Sequence, residues 1–132
     1  MAEQMKRLVF GEGLMVPSLD GSKRFTVRKY REGAHDFEKH DIAIGEFKDG
    51  FDILICITED TKKAPFRELK RSKRKSEKEG GYYFDEAYFE DLKSYYPDDP
   101  SFTWDTMGAV ISFEVLHVGS VPVVKLNQHI NS

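Results

Sequence analysis

The sequence predicts an α+β fold: a small curved or barrel-like, mainly antiparallel β-sheet with two to three helices covering one opening. Five short segments rich in β-branched and aromatic residues recur along the 132-residue chain, and a hairpin signal joins two of them. Two helical patterns stand together between the fourth and fifth segments. A chain of this length fits one domain, residues 1–132, able to bury a single core without covalent staples.

Residues 7–10 open the series. Asp20-Gly21 closes a turn, and the alternation of Phe25 and Val27 with Thr26 and Arg28 then predicts a strand over 24–30. Phe25 and Val27 face the core, Arg24, Thr26 and Arg28 the opposite side, and Lys23 at the strand mouth can turn either way. Residues 41–47 form the next strand, with Gly45 marking a bulge. Asp49-Gly50 turns the chain into a strand over 52–58, so these two strands pair antiparallel. Ile53, Ile55 and Ile57 share one face of that strand and Leu54 and Cys56 the other, which makes it central.

Pro65 at a first helical position, followed by Phe66 and Leu69, starts a helix that continues to Ser76. Beyond Leu69 it has no apolar face, so that part is either an exposed fraying helix or a loop, and Gly80-Gly81 ends it. A second helix over 84–96 follows from the spacing of Tyr83, Ala87, Tyr88, Leu92, Tyr95 and Tyr96, with Asp85 and Glu86 favouring its start and Pro97 stopping it. Residues 109–118 close the sheet. Residues 119–132 form a C-terminal arm or tail, beginning as an edge strand or packed arm.

The single cysteine, Cys56, cannot form an internal disulfide, and no signal-peptide pattern or membrane span is present, so the cytoplasm is the expected compartment. Inside an apolar strand, Cys56 is expected to be a buried structural thiol; a nucleophilic role would need His117 nearby and some exposure. The segment from His35 to Asp41 is dense in possible ligands but lacks a thiolate pair or helical His-x-x-x-His spacing, so no metal is assigned, and no cofactor is called for.

The net charge of −3 conceals an asymmetry. Residues 62–79 carry nine cations against three carboxylates, a local +6, which leaves −9 for the rest of the chain. A polyanion would therefore be met locally. Lys70, Arg71, Lys73, Arg74 and Lys75, with Tyr82, Tyr83 and Tyr88 just downstream, have the composition of a single-stranded RNA contact: cations for the backbone and rings for the bases. A solvated basic run is the plainer alternative.

Residues 21–28 run Gly21-Ser22-Lys23-Arg24-Phe25-Thr26-Val27-Arg28. This Gly-x-Lys-x-x-Thr-x-Arg string resembles the signature of the ASCH domain, a small intracellular member of the PUA-like superfamily, where it follows a short helix. That helix would here be Leu14 to Leu19, interrupted by Pro17. The segment from His40 to Phe47 resembles the family's next strand, normally opened by Gly-Asp, with His40 in place of the glycine. Glu79-Gly80-Gly81, the periodic stretch 84–96 and the closing strand are similar in order and type to the family's Glu-bearing loop, helix and last strand. The resemblance covers residues 14–118, and its one specific motif is the first.

The resemblance implies recognition of a nucleobase or nucleoside, within RNA, by a pocket centred on Lys23, Thr26 and Arg28. The shortest bacterial members remove an acetyl group from the exocyclic amine of cytidine. Their catalytic Lys and Thr map onto Lys23 and Thr26, and Glu79 is the counterpart of their Glu, with Glu77 a short slip away. Threonine attacks a carbonyl only when a neutral base takes its proton, and a lysine serves when desolvation and neighbouring cations lower its pKa. Arg28 would hold a carbonyl or phosphate through its planar fork, or else pair with Asp41. Arg24, Asp41 and Trp104 complete the expected substrate contacts, Trp104 by capping the pocket or stacking a base, unless it belongs to the core. A binding module and an amidohydrolase therefore both remain open, with a ribonuclease using His35 or His40 as a third possibility.

Overall fold

The computed structural model describes residues 6–10, 18, 21, 23–48, 51–118 and 121–123. They fall into two compact units, one drawn from residues 1–24, 38–59 and 113–132, the other from 25–37 and 60–112. The elements are β1 (Arg7–Phe10), β2 (Phe25–Lys29), β3 (Ile42–Phe47), β4 (Asp52–Ile57), β5 (Lys62–Pro65), α1 (Phe66–Leu69), α2 (Lys73–Glu79), α3 (Glu86–Lys93), β6 (Met107–Val115), β7 (His117–Val118) and β8 (Val121–Pro122). The main sheet is hydrogen-bonded in the order β1-β3-β4-β6-β2, with β5 also on β6, and only β1 and β3 pair in parallel. The chain is thus an α+β fold on a mixed, mainly antiparallel sheet.

In the first unit, alternation decides what is buried. Leu8 and Phe10 of β1 go inward while Arg7 and Val9 stay exposed, and Ile53, Ile55 and Ile57 of β4 are buried as their spacing predicts. Phe10 stacks on Phe47 with ring centroids 4.7 Å apart and meets Phe113 at 5.2 Å. At the sheet margin Arg7 pairs with Glu46 and, at 3.0 Å, with Asp52. β3 and β4 pair from Ile42↔Cys56 to Glu46↔Asp52 without a break, so the bulge expected at Gly45 is absent. Gly45 instead admits close packing: a Cβ there would stand 3.0 Å from the Phe47 ring. The Asp49-Gly50 turn itself lies outside the described residues.

The second unit is organised by aromatic rings. Phe66, Leu69, Phe84, Phe89 and Phe102 are buried together with Val27 and Val110. Trp104 stacks on Phe89 at 4.0 Å between centroids, so it belongs to this core. Val27 is 2% and Thr26 7% exposed, so β2 is covered on both faces. Its backbone is tied laterally as well, the Val27 N–H donating to the Tyr88 hydroxyl at 3.1 Å.

Three local expectations are corrected here. Lys62–Pro65 is a strand, pairing Lys62↔Val110 through Pro65↔Met107. The helix starting after Pro65 stops at Leu69, because Arg71 and Phe84 exchange both backbone hydrogen bonds, at 2.9 and 2.8 Å, which requires extended chain on either side of Arg71. Helix then resumes at Lys73, capped by the Ser72 hydroxyl, and ends at Gly80 with φ +75°. α3 spans only Glu86–Lys93, started by the Asp85 carboxylate accepting from the Tyr88 N–H, and its buried residue is Phe89. The closing strand runs 107–115 and is followed by the β7–β8 pair, so the terminal arm does begin as a short strand; residues 124–132 lie outside the described residues. Of the expected helix at 14–19, Ser18 alone is described, and it is helical.

His35 is 9% exposed, and its Nδ1 accepts from the Arg31 N–H at 3.0 Å. Burial, with the charges of Arg28 and Arg31 nearby, lowers its pKa from 6.5 to about 4.

Two measurements check this packing. A Cβ at Gly108 would stand 2.4 Å from Phe66 and 3.0 Å from Leu69, so Gly108→Ala should destabilise the protein by about 1–3 kcal/mol in urea unfolding; an unchanged midpoint would contradict the packing. Between about pH 4 and 6.5 the unfolded chain takes up a proton that folded His35 refuses, so stability should rise with pH across that window. The slope from this group approaches about 1.4 kcal/mol per pH unit, and His35→Asn, which keeps an acceptor without titrating, should flatten it.

Candidate functional site

The octet begins with a turn. Gly21 has φ +84°, a conformation that suits glycine, and its N–H donates to the Ser18 carbonyl at 3.4 Å. Arg24 folds back on this turn, its Nε donating to the Gly21 carbonyl at 2.8 Å. The Arg24 carbonyl in turn accepts from the Phe113 N–H at 2.9 Å, continuing the β2–β6 register by one residue. One further step along an antiparallel pair brings Lys23 level with Glu114.

On the other side of the same residue lies β4, where Cys56 stands directly across from Glu114. Cross-strand partners share a sheet face, so Cys56 and Glu114 project from the side opposite Ile55, Ile57 and Phe113. A cleft of about 470 Å³ opens here, within the size range of small-ligand sites. Lys23, Arg24 and Gly21 form one wall; Cys56, Glu114 and Val115 line it from the strands. Ser18, Leu116 and His117 complete it. Its polar inventory is an ammonium, a guanidinium, a carboxylate, an imidazole, a thiol and a hydroxyl. The His117 Nδ1 lies 3.0 Å from the Val115 carbonyl, which can only accept, so Nδ1 is the donor of this contact. Ser18 is 3% exposed, and its Oγ has no hydrogen-bond partner among the described residues.

Cys56 is therefore half-buried in a cleft wall shared with His117, not sealed inside the sheet. Ser18 and Glu114 went unnoticed in the sequence. Glu114 had a signal, being the acidic interruption in the apolar run 107–115, whereas Ser18 precedes the motif with nothing in its spacing to mark it.

The other expected site residues have different surroundings. Thr26 is buried, and its Oγ1 accepts from the Arg28 Nε at 3.3 Å. Desolvation is the largest influence on the Arg28 guanidinium and lowers its pKa, opposed by Tyr88 and Tyr96. Asp41 is exposed and closes a turn, its carboxylate accepting from the Glu38 N–H at 2.8 Å. Glu79 pairs with Arg71 at 3.4 Å, and Trp104 sits under the Lys70 ammonium at 5.6 Å. Within the basic segment, Lys70 also pairs with Glu86 at 2.9 Å, Arg71 lies over Tyr82 at 5.6 Å, and Lys73 over Tyr83 at 5.6 Å. Arg74 and Lys75 are exposed on α2.

No helix among the described residues is long and apolar enough to cross a membrane. No protein-family model matches the chain, and no curated protein matches it. Among solved structures, it resembles the crystal structure of protein EF3133 from Enterococcus faecalis V583, assigned to the domain-of-unknown-function family 984. The two superpose with a TM-score of 0.58 over 98% of this chain and 88% of the other, at 19% sequence identity, a likeness that shows the fold alone.

Proposed function

We propose that the chain is an ASCH-like domain of the PUA-like superfamily that recognises a nucleobase or nucleoside, presented within RNA. The observation that carries the reading is the cleft itself, where two of the three cations of the octet, Lys23 and Arg24, line one space with the Glu114 carboxylate and with Leu116. Such a lining suits a flat heterocycle with polar edges attached to an anionic backbone: apolar groups take the faces, a carboxylate takes an edge donor, and cations take phosphate. The exposed cations Arg74 and Lys75 supply further sequence-independent attraction for a strand, and Lys73 beside the Tyr83 ring offers a stacking surface.

Binding is favoured over deacetylation by the surroundings of Thr26. Its hydroxyl oxygen accepts from the Arg28 guanidinium, which cannot take up a proton, so in this arrangement Thr26 orients Arg28 and does not act as an activated nucleophile. Amidohydrolase activity is the alternative class, and one assay separates the two. Wild type, Lys23→Ala and Thr26→Ala are incubated with acetylated cytidine and titrated with a short single-stranded RNA. The binding reading predicts no turnover, and RNA affinity reduced about tenfold or more by Lys23→Ala. Turnover that vanishes in both variants would establish the enzyme instead.

The basic segment is tested by salt. If it neutralises about four phosphates, log K should fall against log salt with a slope near −3, made shallower by Arg74→Ala with Lys75→Ala. A flat response would remove α2 from the interface.

A further inference from the structure

We propose that the chain pairs with a second copy of itself through its second unit, the basic outer face of α2 in one copy lying on the acidic outer face of α3 in the other, and the reverse. The inference stands apart from the nucleoside reading and uses none of the cleft residues.

Charge supplies the first argument. Residues 85–105 carry seven carboxylates against one lysine, a local −6 that equals in size the +6 of residues 62–79. Part of this charge is neutralised within the chain, where Arg67 pairs with Asp105, Lys70 with Glu86 and Lys29 with Asp99. The outer helix faces are not neutralised in this way. Arg74, Lys75 and Lys78 on α2, and Glu90 and Asp91 on α3, are exposed and make no ion pair among the described residues. Opposite fields of equal size on one molecule are complementary to those of its own copy.

The second argument is the arrangement of those charges. α2 buries Ser76, so Arg74 and Lys78 stand one turn apart in the middle of its outward face, with Lys75 and Glu77 on the flanks. α3 buries Phe89, which puts Ala87 and Asp91 in the same relation on its own outward face, with Glu90 beside them and Lys93 on the far side. The small Ala87 lets a second helix approach closely, and Tyr95, 72% exposed just past the helix end, offers a ring at the margin. Gly80–Asp85 joins the two helices, and Lys70 reaches Glu86 at 2.9 Å, so the basic and acidic faces are held near each other. When one patch meets another and the second meets the first, the pair closes on a two-fold axis. Contacts between exposed charges are weak and screened by salt, which makes the pairing reversible.

The test is sedimentation velocity of the intact chain freed of nucleic acid, because α2 is also the proposed strand contact. Dimer should form with rising protein concentration at about 20 mM salt and dissociate at about 500 mM. Arg74→Glu with Lys78→Glu, and separately Glu90→Lys with Asp91→Lys, should each weaken self-association at least about tenfold, because like charges then face each other at both contacts. An equimolar mixture of the two variants should recover dimer, since every contact in the mixed pair joins opposite charges; misfolding of either variant would not produce that recovery. Wild type that stays monomeric at low salt overturns the inference, as does a mixture that stays monomeric or a dimer indifferent to salt and to both variants. Assemblies that grow beyond two copies overturn the closed pairing. The RNA titration with Lys23→Ala judges the nucleoside reading separately, whichever of these results is found.

Discussion

Nine consecutive residues, Met107–Val115, set the terms for everything else, because β6 supplies hydrogen-bonding partners to β2, β4 and β5. Six of them are buried, which a strand tolerates only when neighbours satisfy its backbone on both edges. Gly108 near its start permits Phe66 and Leu69 to lie directly on the backbone, and this close approach anchors the aromatic core of the second unit. Near its other end Phe113 enters the core beside Phe10, while its neighbour Glu114 breaks the apolar run and turns the outer face polar. One strand therefore sets a core residue and a polar cleft residue side by side.

The candidate site follows from that polar break. A carboxylate in the middle of a sheet face stays solvated only where the face is left open, and here the open face is bounded by Cys56 across the ladder and by the approach of Lys23 and Arg24 on the other side. The turn at Gly21 and the Arg24 hydrogen bond to its carbonyl hold this approach in one conformation. Side chains held by backbone contacts of this sort bind a ligand without first paying for their own ordering. Thr26 and Arg28, only a few residues further on, instead form a part-buried pair, with the intervening Val27 N–H donating to the Tyr88 hydroxyl.

Much of the fold was legible in the sequence because alternation and turn chemistry are local. The Ile53, Ile55, Ile57 pattern, the antiparallel pairing of the strands flanking Asp49-Gly50, the helix start, one residue after the Pro65 expected for it, and the stop at Gly80 each depend on residues within a few positions of one another. What escaped depends on distant partners. Lys62–Pro65 has no apolar alternation and becomes a strand only because β6 offers it a ladder. The break at Lys70 is imposed by Phe84, thirteen residues beyond Arg71, overriding a locally helical run. Residues 83–96 have helical spacing on paper, yet Asp85 caps the chain into a shorter helix whose buried residue is Phe89, outside the spacing that predicted it. Gly21, Lys23 and Arg24 of the octet line the cleft, but the residues that share it, Ser18, Cys56 and Glu114, come from three separate stretches, which no spacing rule connects.

The central claim is that Lys23, Arg24, Cys56 and Glu114 border one ligand cleft, and the chain's single cysteine makes it directly measurable. The rate at which a small alkylating reagent modifies Cys56 should be measured with and without saturating single-stranded RNA. The account predicts that bound RNA slows alkylation at least tenfold, with protection lost in Lys23→Ala at the same RNA concentration. An unchanged rate at demonstrated saturation would place the bound nucleotide elsewhere and contradict it.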